Sequence, residues 1–237
     1  MPSPIPLYDL GRVPYRAALA FQRRAVETRA NGEAPDVFYV VEHDPVLTVG
    51  RGGHAENFRT GAADLNRRGI DVVPVERGGD VTYHGPGQIV GYPIVALDAL
   101  PGGRDLHRYL RDIEEALIEC LGAFGIDAGR RPPYTGVWVA DRKVAAIGVA
   151  VRRWIAFHGF ALNVDPDLSH FDLIHPCGIR DLGVASMASL LSVAPPREAV
   201  IARLAAAFSR VWDRPVVLPD AMGSQAGAAM ATQSLHV

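Results

Sequence analysis

Short β-rich runs fall into two groups along the chain, and one long amphipathic helix pattern separates the groups. Gly, Pro and Asp bound the runs, as they commonly bound strands. The predicted strands are Val37–Glu42, Val46–Gly50, Val72–Glu76 and Ile89–Leu97 in the first group, and Val137–Ala140, Val144–Val151 and Ile155–Val164 in the second. Strands in series, with helices between groups of them, predict an α+β or mixed α/β domain and not a regular βαβ alternation.

Three segments have the apolar periodicity of helices. The clearest is Asp105–Phe124, where apolar residues recur at helical spacing and Gly125 follows as a stop signal. Similar patterns predict a first helix over Pro14–Arg29 and a last helix over Arg197–Trp212. Between the last two predicted strands, Arg152-Arg153 is predicted to be a tight hairpin connection.

The length and composition predict one globular domain. The chain has 237 residues, of which 49% are hydrophobic and 21% are charged, and one large domain or two small ones fit that length. We predict a single domain over residues 1–218, where no linker-like stretch occurs, and a loosely held tail over 219–237, where Gly, Ala, Ser and Gln dominate. Two small lobes that meet near residue 130 are the alternative.

The charge balance and apolar runs exclude several classes of protein. The 24 basic and 26 acidic residues give a net charge of −2, so no basic field indicates nucleic acid or an anionic membrane. No apolar run approaches the roughly 20 residues of a membrane helix, and the first 12 residues do not read as a secretory signal. Two cysteines do not make a disulfide framework, which predicts a reducing, cytoplasmic setting.

Lysine is almost absent from the chain. Of the 24 basic residues, 23 are arginine and one is lysine, Lys143. Arginine replaces lysine where only charge is needed, but guanidinium does not release a proton and an ammonium can. Lys143 is therefore a candidate for proton transfer, in phase with Ala145, Ile147 and Val149 along a predicted strand. The alternative is a solvated lysine at a strand end.

The two cysteines have different surroundings. Cys120 lies on the apolar face of the clearest helix, as expected of a buried structural cysteine. Cys177 lies between Pro176 and Gly178 on a predicted loop, which favours a nucleophile over a structural thiol. Because only about 3% of an unperturbed thiol is ionised at pH 7, a nearby cation would have to activate Cys177, and either Lys143 or a protonated histidine could supply that charge.

A glycine-rich segment, Arg77–Gln88, lies between two predicted strands. It matches neither the Walker A pattern nor the dinucleotide fingerprint. Arg, Asp, Thr, Tyr and His alternate there with glycines that permit close backbone approach, so we predict the wall of a binding site over a plain turn. For His84, a brace that stabilises the loop by hydrogen bonds is favoured over a general base.

Two further groups of residues give weak signals. His170, His175 and Cys177 are close in sequence, but no Cys-x-x-Cys pair or His-Glu-x-x-His helix completes a site, so we predict no metal. The pairs Arg130-Arg131 and Arg152-Arg153 lack the interleaved aromatic residues of single-strand binding proteins, and we predict no nucleic-acid partner.

Four segments together resemble the lipoyl(octanoyl) transferases, which are octanoyl-[acyl carrier protein]:protein N-octanoyltransferases. The matching segments, in family order, are Arg77–Gln88, Lys143–Gly148, His158–Asn163 and Pro176–Ile179. The resemblance covers about residues 5–217. The chain departs from the family pattern at Val184-Ala185-Ser186-Met187, because many members have threonine where this chain has Ala185.

The resemblance implies a chemical mechanism. Cys177 would attack the thioester of octanoyl-acyl carrier protein and become an S-octanoyl cysteine. Lys143 would lower the pKa of the attacking thiol and carry protons. The acyl group would then pass to a lysine of a lipoyl domain, in 2-oxoacid dehydrogenase complexes or in the glycine-cleavage H protein. No cofactor would be consumed, since the thioester is already activated.

The resemblance also implies a binding site and a fold. The residues expected to line the acyl and pantetheine site are Arg77, Gly78, Gly79, Asp80, Val81, Thr82, Tyr83, His84, Ala146, Ile147, Gly148, Gly159, Phe160 and Ala161. The implied fold is that of the catalytic domains of biotin and lipoate protein ligases, a single α/β domain of mixed α+β type in which helices flank a mixed sheet. Three competing functions remain: an ATP-dependent ligase, a non-catalytic binding module for acyl carrier protein or lipoyl domains, and a thioesterase.

Overall fold

The structure is a computed structural model and describes residues 3–175 and 182–219. Within these residues the chain forms five α-helices and twelve β-strands. The helices are α1 (Tyr15–Ala30), α2 (Ala62–Arg67), α3 (Leu106–Gly122), α4 (Met187–Leu191) and α5 (Arg197–Val211). The strands are β1 (Ile5–Arg12), β2 (Val37–Glu42), β3 (Val46–Val49), β4 (Asp71–Pro74), β5 (Val81–His84), β6 (Gln88–Ala96), β7 (Gly129–Arg131), β8 (Tyr134–Val139), β9 (Arg142–Arg152), β10 (Ile155–Asn163), β11 (Gly183–Val184) and β12 (Val216–Val217).

A nine-stranded mixed sheet is the centre of the described chain. Its strand order is β12-β1-β2-β6-β10-β9-β8-β7, and β11 pairs with β9. β1 is parallel to β2 and β12, whereas β2, β6, β10, β9, β8 and β7 follow one another antiparallel. Every residue of β6 and β10 is buried, because helices and a second sheet cover both faces. This arrangement confirms the predicted fold class.

Helices α3 and α5 cover one face of the main sheet, and α1 covers the other. Leu117, Leu204 and Phe208 lie fully buried in the cluster on the α3 and α5 face. Each such side chain contributes about 1.5–3 kcal/mol when it is buried. Phe21 and Val26 of α1 pack against the opposite face. The hydrophobic stripe of α3 is therefore buried against both the main sheet and α5.

A second, three-stranded sheet of order β4-β3-β5 packs beside α1. β3 is parallel to β4 and antiparallel to β5. The glycine-rich segment Arg77–Gln88, which lies between two predicted strands, contains a strand that the sequence analysis did not predict, because β5 forms in its middle. Val81 and Tyr83 are buried in the cluster around Leu47, and this alternation of core residues is concealed by the glycines on either side.

The predicted helices and most predicted strands form within a few residues of their expected limits. The structure adds β1, whose strand pattern is interrupted by Pro6 and Gly11, and short elements such as β7, β11 and β12. The hairpin connection predicted at Arg152-Arg153 lies one residue further on, at Arg153 and Trp154, because Arg152 still belongs to β9 and pairs with Ile155. Both turn residues have positive φ, as in a type I′ turn.

Strands on both sides of residue 130 hydrogen-bond within the main sheet. The alternative of two small lobes that meet near residue 130 is therefore wrong, because one sheet contains strands from both halves of the chain. The boundary at residue 218 and the tail stay a prediction, because residues 220–237 lie outside the described part of the chain.

Candidate active site

One cavity lies between the α1 face of the main sheet, α1 and the small sheet. Its lining unites three segments that are far apart in the sequence. The predicted site residues at the cavity are Arg77, Gly79, Thr82, His84, Ala146, Ile147, Gly148, Gly159, Phe160 and Ala161, and the remaining lining residues are Tyr15, Val90, Tyr92 and His158. The fold thus brings the glycine-rich segment and the β9–β10 hairpin together at one cavity. The sequence of either segment alone does not reveal that they are neighbours.

Small residues on β9 and β10 leave the space for the cavity. Ala146 pairs in register with Ala161, and Gly148 pairs with Gly159. A Cβ atom on Gly148 would lie 2.9 Å from Cδ of Arg77 and 3.0 Å from the Gly78 carbonyl oxygen. Larger side chains at these positions would therefore collide with the segment that forms the opposite wall.

Arg77 and Gly78 fix the wall of the cavity to both sheets. The buried Arg77 guanidinium donates from Nη2 to the carbonyl oxygen and the hydroxyl of Thr48, at 2.7 and 2.8 Å. The Gly78 amide donates to the Val149 carbonyl at 2.9 Å. In addition, the Gly52 amide donates to the Gly79 carbonyl at 3.0 Å. The sequence analysis did not identify the segment after β3 that contains Gly52, although Gly50, Gly52 and Gly53 are a signal for close backbone approach.

Four of the predicted binding residues do not line the cavity. Gly78 contacts β9 as described, and Val81 and Tyr83 are buried in the small core behind the wall. The Asp80 carboxylate accepts hydrogen bonds from the Val81 amide, the His54 amide and the Asn57 side chain. The structure places these residues where they support the wall, and their direct contact with a ligand stays a prediction.

His84 is held as a neutral brace. Its Nδ1 donates to Oε1 of Gln88 at 2.7 Å, and the Gln88 amide nitrogen donates in turn to Oδ1 of Asn163 at 2.9 Å. Complete burial, reinforced by the neighbouring His43, lowers the pKa of His84 to about 3. An imidazole with so low a pKa is a weak proton acceptor at neutral pH, and its hydrogen bond to Gln88 agrees with the predicted brace.

Aromatic residues that the sequence analysis missed form the end of the cavity beside His84. Nδ1 of His43 donates to the Val13 carbonyl at 2.6 Å, so Nε2 accepts from the Tyr92 hydroxyl at 2.6 Å. Burial lowers the pKa of His43 to about 4 and raises that of Tyr15 to about 12. The ring of Tyr15 stacks on His84, with 5.7 Å between ring centroids. The histidine and tyrosine side chains at this end of the cavity are thus uncharged at neutral pH.

His158 occupies an unusual backbone position at the cavity. Its φ is +56° within β10, a conformation that is rare for residues other than glycine and that concentrates at functional sites. The His158 amide donates to Oε1 of Gln22 at 3.0 Å, and Nε2 lies 3.8 Å from a Glu76 oxygen. Burial lowers the pKa of His158 in spite of this carboxylate, whereas His158 and Arg23 lower the pKa of Glu76.

Lys143 lies on the same face of the main sheet as the cavity. Val137 pairs with Ala145, and Trp138 pairs with Lys143, so Val144 is an extra residue in β9 and forms a β-bulge. Ala145 consequently faces the α3 and α5 core, while Lys143 faces the opposite side, as do Ala146 and Gly148. The predicted phase of Lys143 with Ala145 is therefore wrong, because a strand without a bulge was assumed.

The side chain of Lys143 is buried, with 7% of the residue exposed. This burial contradicts the alternative of a solvated lysine at a strand end. Val184 of β11 pairs with Lys143, and the Ala185 amide donates to the Lys143 carbonyl at 3.0 Å. At the position where the chain departs from the family pattern, the backbone of Ala185 thus holds the lysine, and Asn163 donates to the Ala185 carbonyl at 3.0 Å.

Cys177 lies outside the described residues, and its role stays a prediction. The described chain before it ends at His175, whose amide donates to the Asn57 carbonyl at 2.8 Å. The chain after it returns at Leu182 and pairs with Lys143 two residues later. Cys120 is buried, as predicted, and burial raises the pKa of its thiol to about 12. A thiol of this kind is not a nucleophile at neutral pH.

Two kinds of site are absent from residues 3–175 and 182–219. No three His, Cys, Asp or Glu side chains there converge on a position that would hold a metal ion. In the same residues, no helix combines the length and the apolar character that crossing a bilayer requires.

Comparison with known proteins identifies this architecture. A family model described as the lipoyl protein ligase A/B catalytic domain matches residues 14–209. An octanoyltransferase from Solibacter usitatus is 49% identical over 207 residues, which cover 87% of this chain and 92% of that protein. Among solved structures, lipoate-protein ligase A bound with ATP has a TM-score of 0.76 at 19% identity and covers 98% of this chain and 94% of that chain. Biotin protein ligase from Aquifex aeolicus, in complex with biotin and ATP, has a TM-score of 0.51 at 13% identity and covers 90% and 71%.

The fold and the cavity thus define a catalytic domain of the type found in biotin and lipoate protein ligases, as the resemblance implied. More narrowly, the chain belongs to the lipoyl protein ligase A/B catalytic domain family and, within that family, to the octanoyltransferases.

Proposed function

We propose that this chain transfers an octanoyl group from octanoyl-acyl carrier protein to a lysine of a lipoyl domain, through a thioester on Cys177. The observation that carries the proposal is the position of Lys143. The only lysine of the chain is buried on the cavity face of β9 and pairs with the segment that follows Cys177. Many curated relatives that share the fold are named octanoyltransferases.

In the first half-reaction, the proton of the Cys177 thiol moves to Lys143. The thiolate then attacks the thioester carbonyl of the donor, the new carbon–sulfur bond forms, and the bond to the pantetheine sulfur breaks. Lys143 returns the proton to the departing pantetheine thiolate. An S-octanoyl enzyme and free acyl carrier protein are the products, and no cofactor takes part.

In the second half-reaction, the amine of the acceptor lysine attacks the thioester on Cys177. The carbon–nitrogen bond forms, the carbon–sulfur bond to Cys177 breaks, and the amine proton passes through neutral Lys143 to the Cys177 thiolate. The acceptors under this proposal are lipoyl domains of 2-oxoacid dehydrogenase complexes and the glycine-cleavage H protein, in the cytoplasm.

The cavity suits an aliphatic chain. Val90, Ala161 and Phe160 provide apolar surface, and the nearby histidines and tyrosines are uncharged at neutral pH. Each methylene that leaves water contributes about 0.8 kcal/mol. Eight carbons therefore supply several kcal/mol, enough to discriminate against short acyl groups.

Intact-protein mass spectrometry after mixing with octanoyl-acyl carrier protein, without ATP, tests the proposal. We expect one octanoyl mass on the protein and its loss on addition of a lipoyl domain. Cys177→Ala should abolish the adduct, and the matched variant Cys120→Ala should retain it, since Cys120 is buried and unreactive. Loss of the adduct in Cys120→Ala would mean that the nucleophile is assigned to the wrong cysteine.

The competing functions give different results in the same experiment. Transfer that requires ATP and free octanoate would identify a ligase, and rapid loss of the adduct to water without an acceptor would identify a thioesterase. Binding of acyl carrier protein with no acyl mass in any variant would identify a binding module. Each of these results would overturn the proposal.

A further inference from the structure

The indole of Trp138 lies beside the ammonium group of Lys143. Trp138 on β8 and Lys143 on β9 are direct partners across the two strands, and both are buried, with 3% and 7% of the residues exposed. Nζ of Lys143 is 4.8 Å from the centroid of the indole ring. A cation within about 6 Å of a ring face is attracted by the ring quadrupole, and the attraction strengthens when water is excluded.

The stem of Lys143 runs past a glycine on β8. Gly136 has a φ of +126°, and a Cβ atom there would lie 3.4 Å from Cε and 3.5 Å from Cδ of Lys143. The Gly136 amide donates to Oε1 of Glu114 at 3.0 Å, and Glu114 is fully buried on α3. The other Glu114 oxygen accepts from Arg111 and Arg130. The hydrogen bond from Gly136 to Glu114 fixes the stretch of β8 against which the aliphatic part of the Lys143 side chain lies.

We propose that Trp138 is a positioning residue for Lys143, whose ammonium group it holds at the cavity face of β9. The proposal rests on the proton-transfer role of Lys143 in the proposed function. A lysine side chain has four rotatable bonds, and a free one samples many rotamers. Between the indole and the Gly136 stretch, the side chain is restricted to a small part of this space, so the amine reaches the reacting atoms in one orientation.

The β-bulge at Val144 makes this contact possible. Without the extra residue, the side chains of Trp138 and Lys143 would lie on opposite faces of the sheet, because the side-chain period of a strand is two. Arg131 also lies near the ring, at 6.0 Å from the indole centroid, but its guanidinium is bound to Asp141 in an exposed ion pair. Lys143 is the closer and more buried of the two cations.

Steady-state kinetics of octanoyl transfer with Trp138→Leu and Trp138→Phe tests the proposal. Trp138→Leu should lower kcat about tenfold, with KM within about twofold of the original, because the contact orients a proton carrier and does not bind substrate. Trp138→Phe retains a ring face and should recover most of kcat. The melting temperatures of both variants separate this effect from a loss of packing. Trp138→Met, whose unbranched side chain adapts to an irregular space, replaces Trp138→Leu if that variant does not fold.

A matched control is available in Trp154. This residue is 42% exposed at the β9–β10 turn, and Arg104 lies 5.4 Å from its ring, so Trp154→Leu removes a similar contact far from Lys143 and should leave kcat unchanged. Full kcat in Trp138→Leu, or an equal loss in Trp138→Leu and Trp138→Phe, would overturn the proposal. Lys143→Ala separates the two claims, since full activity in that variant would refute the role of Lys143 itself, whatever Trp138 does.

Discussion

At the scale of single residues, substitutions of Lys143 can distinguish a lysine that supplies positive charge from one that transfers protons. We predict that Lys143→Arg loses octanoyl transfer by at least about a hundredfold, because guanidinium keeps its proton in both half-reactions. Single-turnover formation of the acyl-enzyme, followed by mass spectrometry, measures the loss. Lys143→Met, which has neither charge nor proton, is the reference.

The two variants distinguish the possible roles of the lysine. Activity of Lys143→Arg close to that of the original protein would mean that Lys143 supplies only a positive charge. Activity in both variants would remove Lys143 from the mechanism. Their melting temperatures report whether the larger arginine disturbs the tight space beside Gly136.

Residue patterns in the sequence identified part of this site. The brace at His84 and the burial of Cys120 agree with their sequence context, because short-range patterns carried both. The roles of His43 and Tyr92 were not predictable, since their hydrogen bond joins residues 49 positions apart. Neither residue belongs to a motif, and the pairing of β2 with β6 makes them neighbours.

At the scale of secondary structure, the β9–β10 hairpin determines the shape of the cavity. We predict that Gly148→Ala lowers kcat/KM for octanoyl transfer about tenfold or more. The new methyl group would displace Arg77 and Gly78 from the cavity wall, and small displacements in a site have large kinetic costs. Steady-state kinetics measures the effect.

Gly122→Ala is the matched control for this substitution. Gly122 is the last residue of α3, and no atom lies within 4 Å of the position where its Cβ would be. Alanine also favours a helix more than glycine does, so activity should be retained and stability should not fall. Normal kinetics in Gly148→Ala would mean that the ligand does not use this part of the cavity.

The elements themselves were largely predictable, and their irregularities were not. Apolar periodicity located α3 and α5 to within a residue or two. The bulge at Val144 leaves no trace in a run of small and apolar residues, because Val144, Ala145 and Ala146 all suit a buried strand. The face on which Lys143 lies depends on that single inserted residue.

At the scale of the whole molecule, two buried neutral histidines couple stability to pH. Burial lowers the pKa of His43 to about 4 and of His84 to about 3. The unfolded chain binds protons at these imidazoles near pH 6.5, and the folded chain does so only at lower pH. The contribution of these histidines to the free energy of unfolding should therefore be constant above pH 7. It should fall from about pH 6.5 towards pH 4, by up to about 1.4 kcal/mol per pH unit for each proton bound.

Urea denaturation between pH 4 and pH 8 measures this dependence. His43→Gln removes one buried imidazole and should make the decrease shallower, whereas His107→Gln removes an exposed imidazole on α3 and should not. A stability that is independent of pH below 6.5, or an equal change in both variants, would contradict the prediction.

The order of strands in the main sheet was beyond the reach of sequence patterns. Adjacent β1 and β12 come from opposite ends of the described chain, and β6 pairs with β10 across an intervening helix and three strands. Local patterns determine where strands occur, but contacts over such separations depend on how helices and sheets bury one another.

The burial of the only lysine affects whether the protein could acylate itself. Under the proposed function, the protein would acylate lysine amines, and its own surface would lie beside the acyl-enzyme at very high local concentration. This surface carries arginine at every other basic position, and guanidinium is a poor acyl acceptor because it stays protonated. With Lys143 almost fully withdrawn from solvent, the molecule offers no exposed lysine to a neighbouring acyl-enzyme, so self-modification is suppressed by composition as well as by geometry.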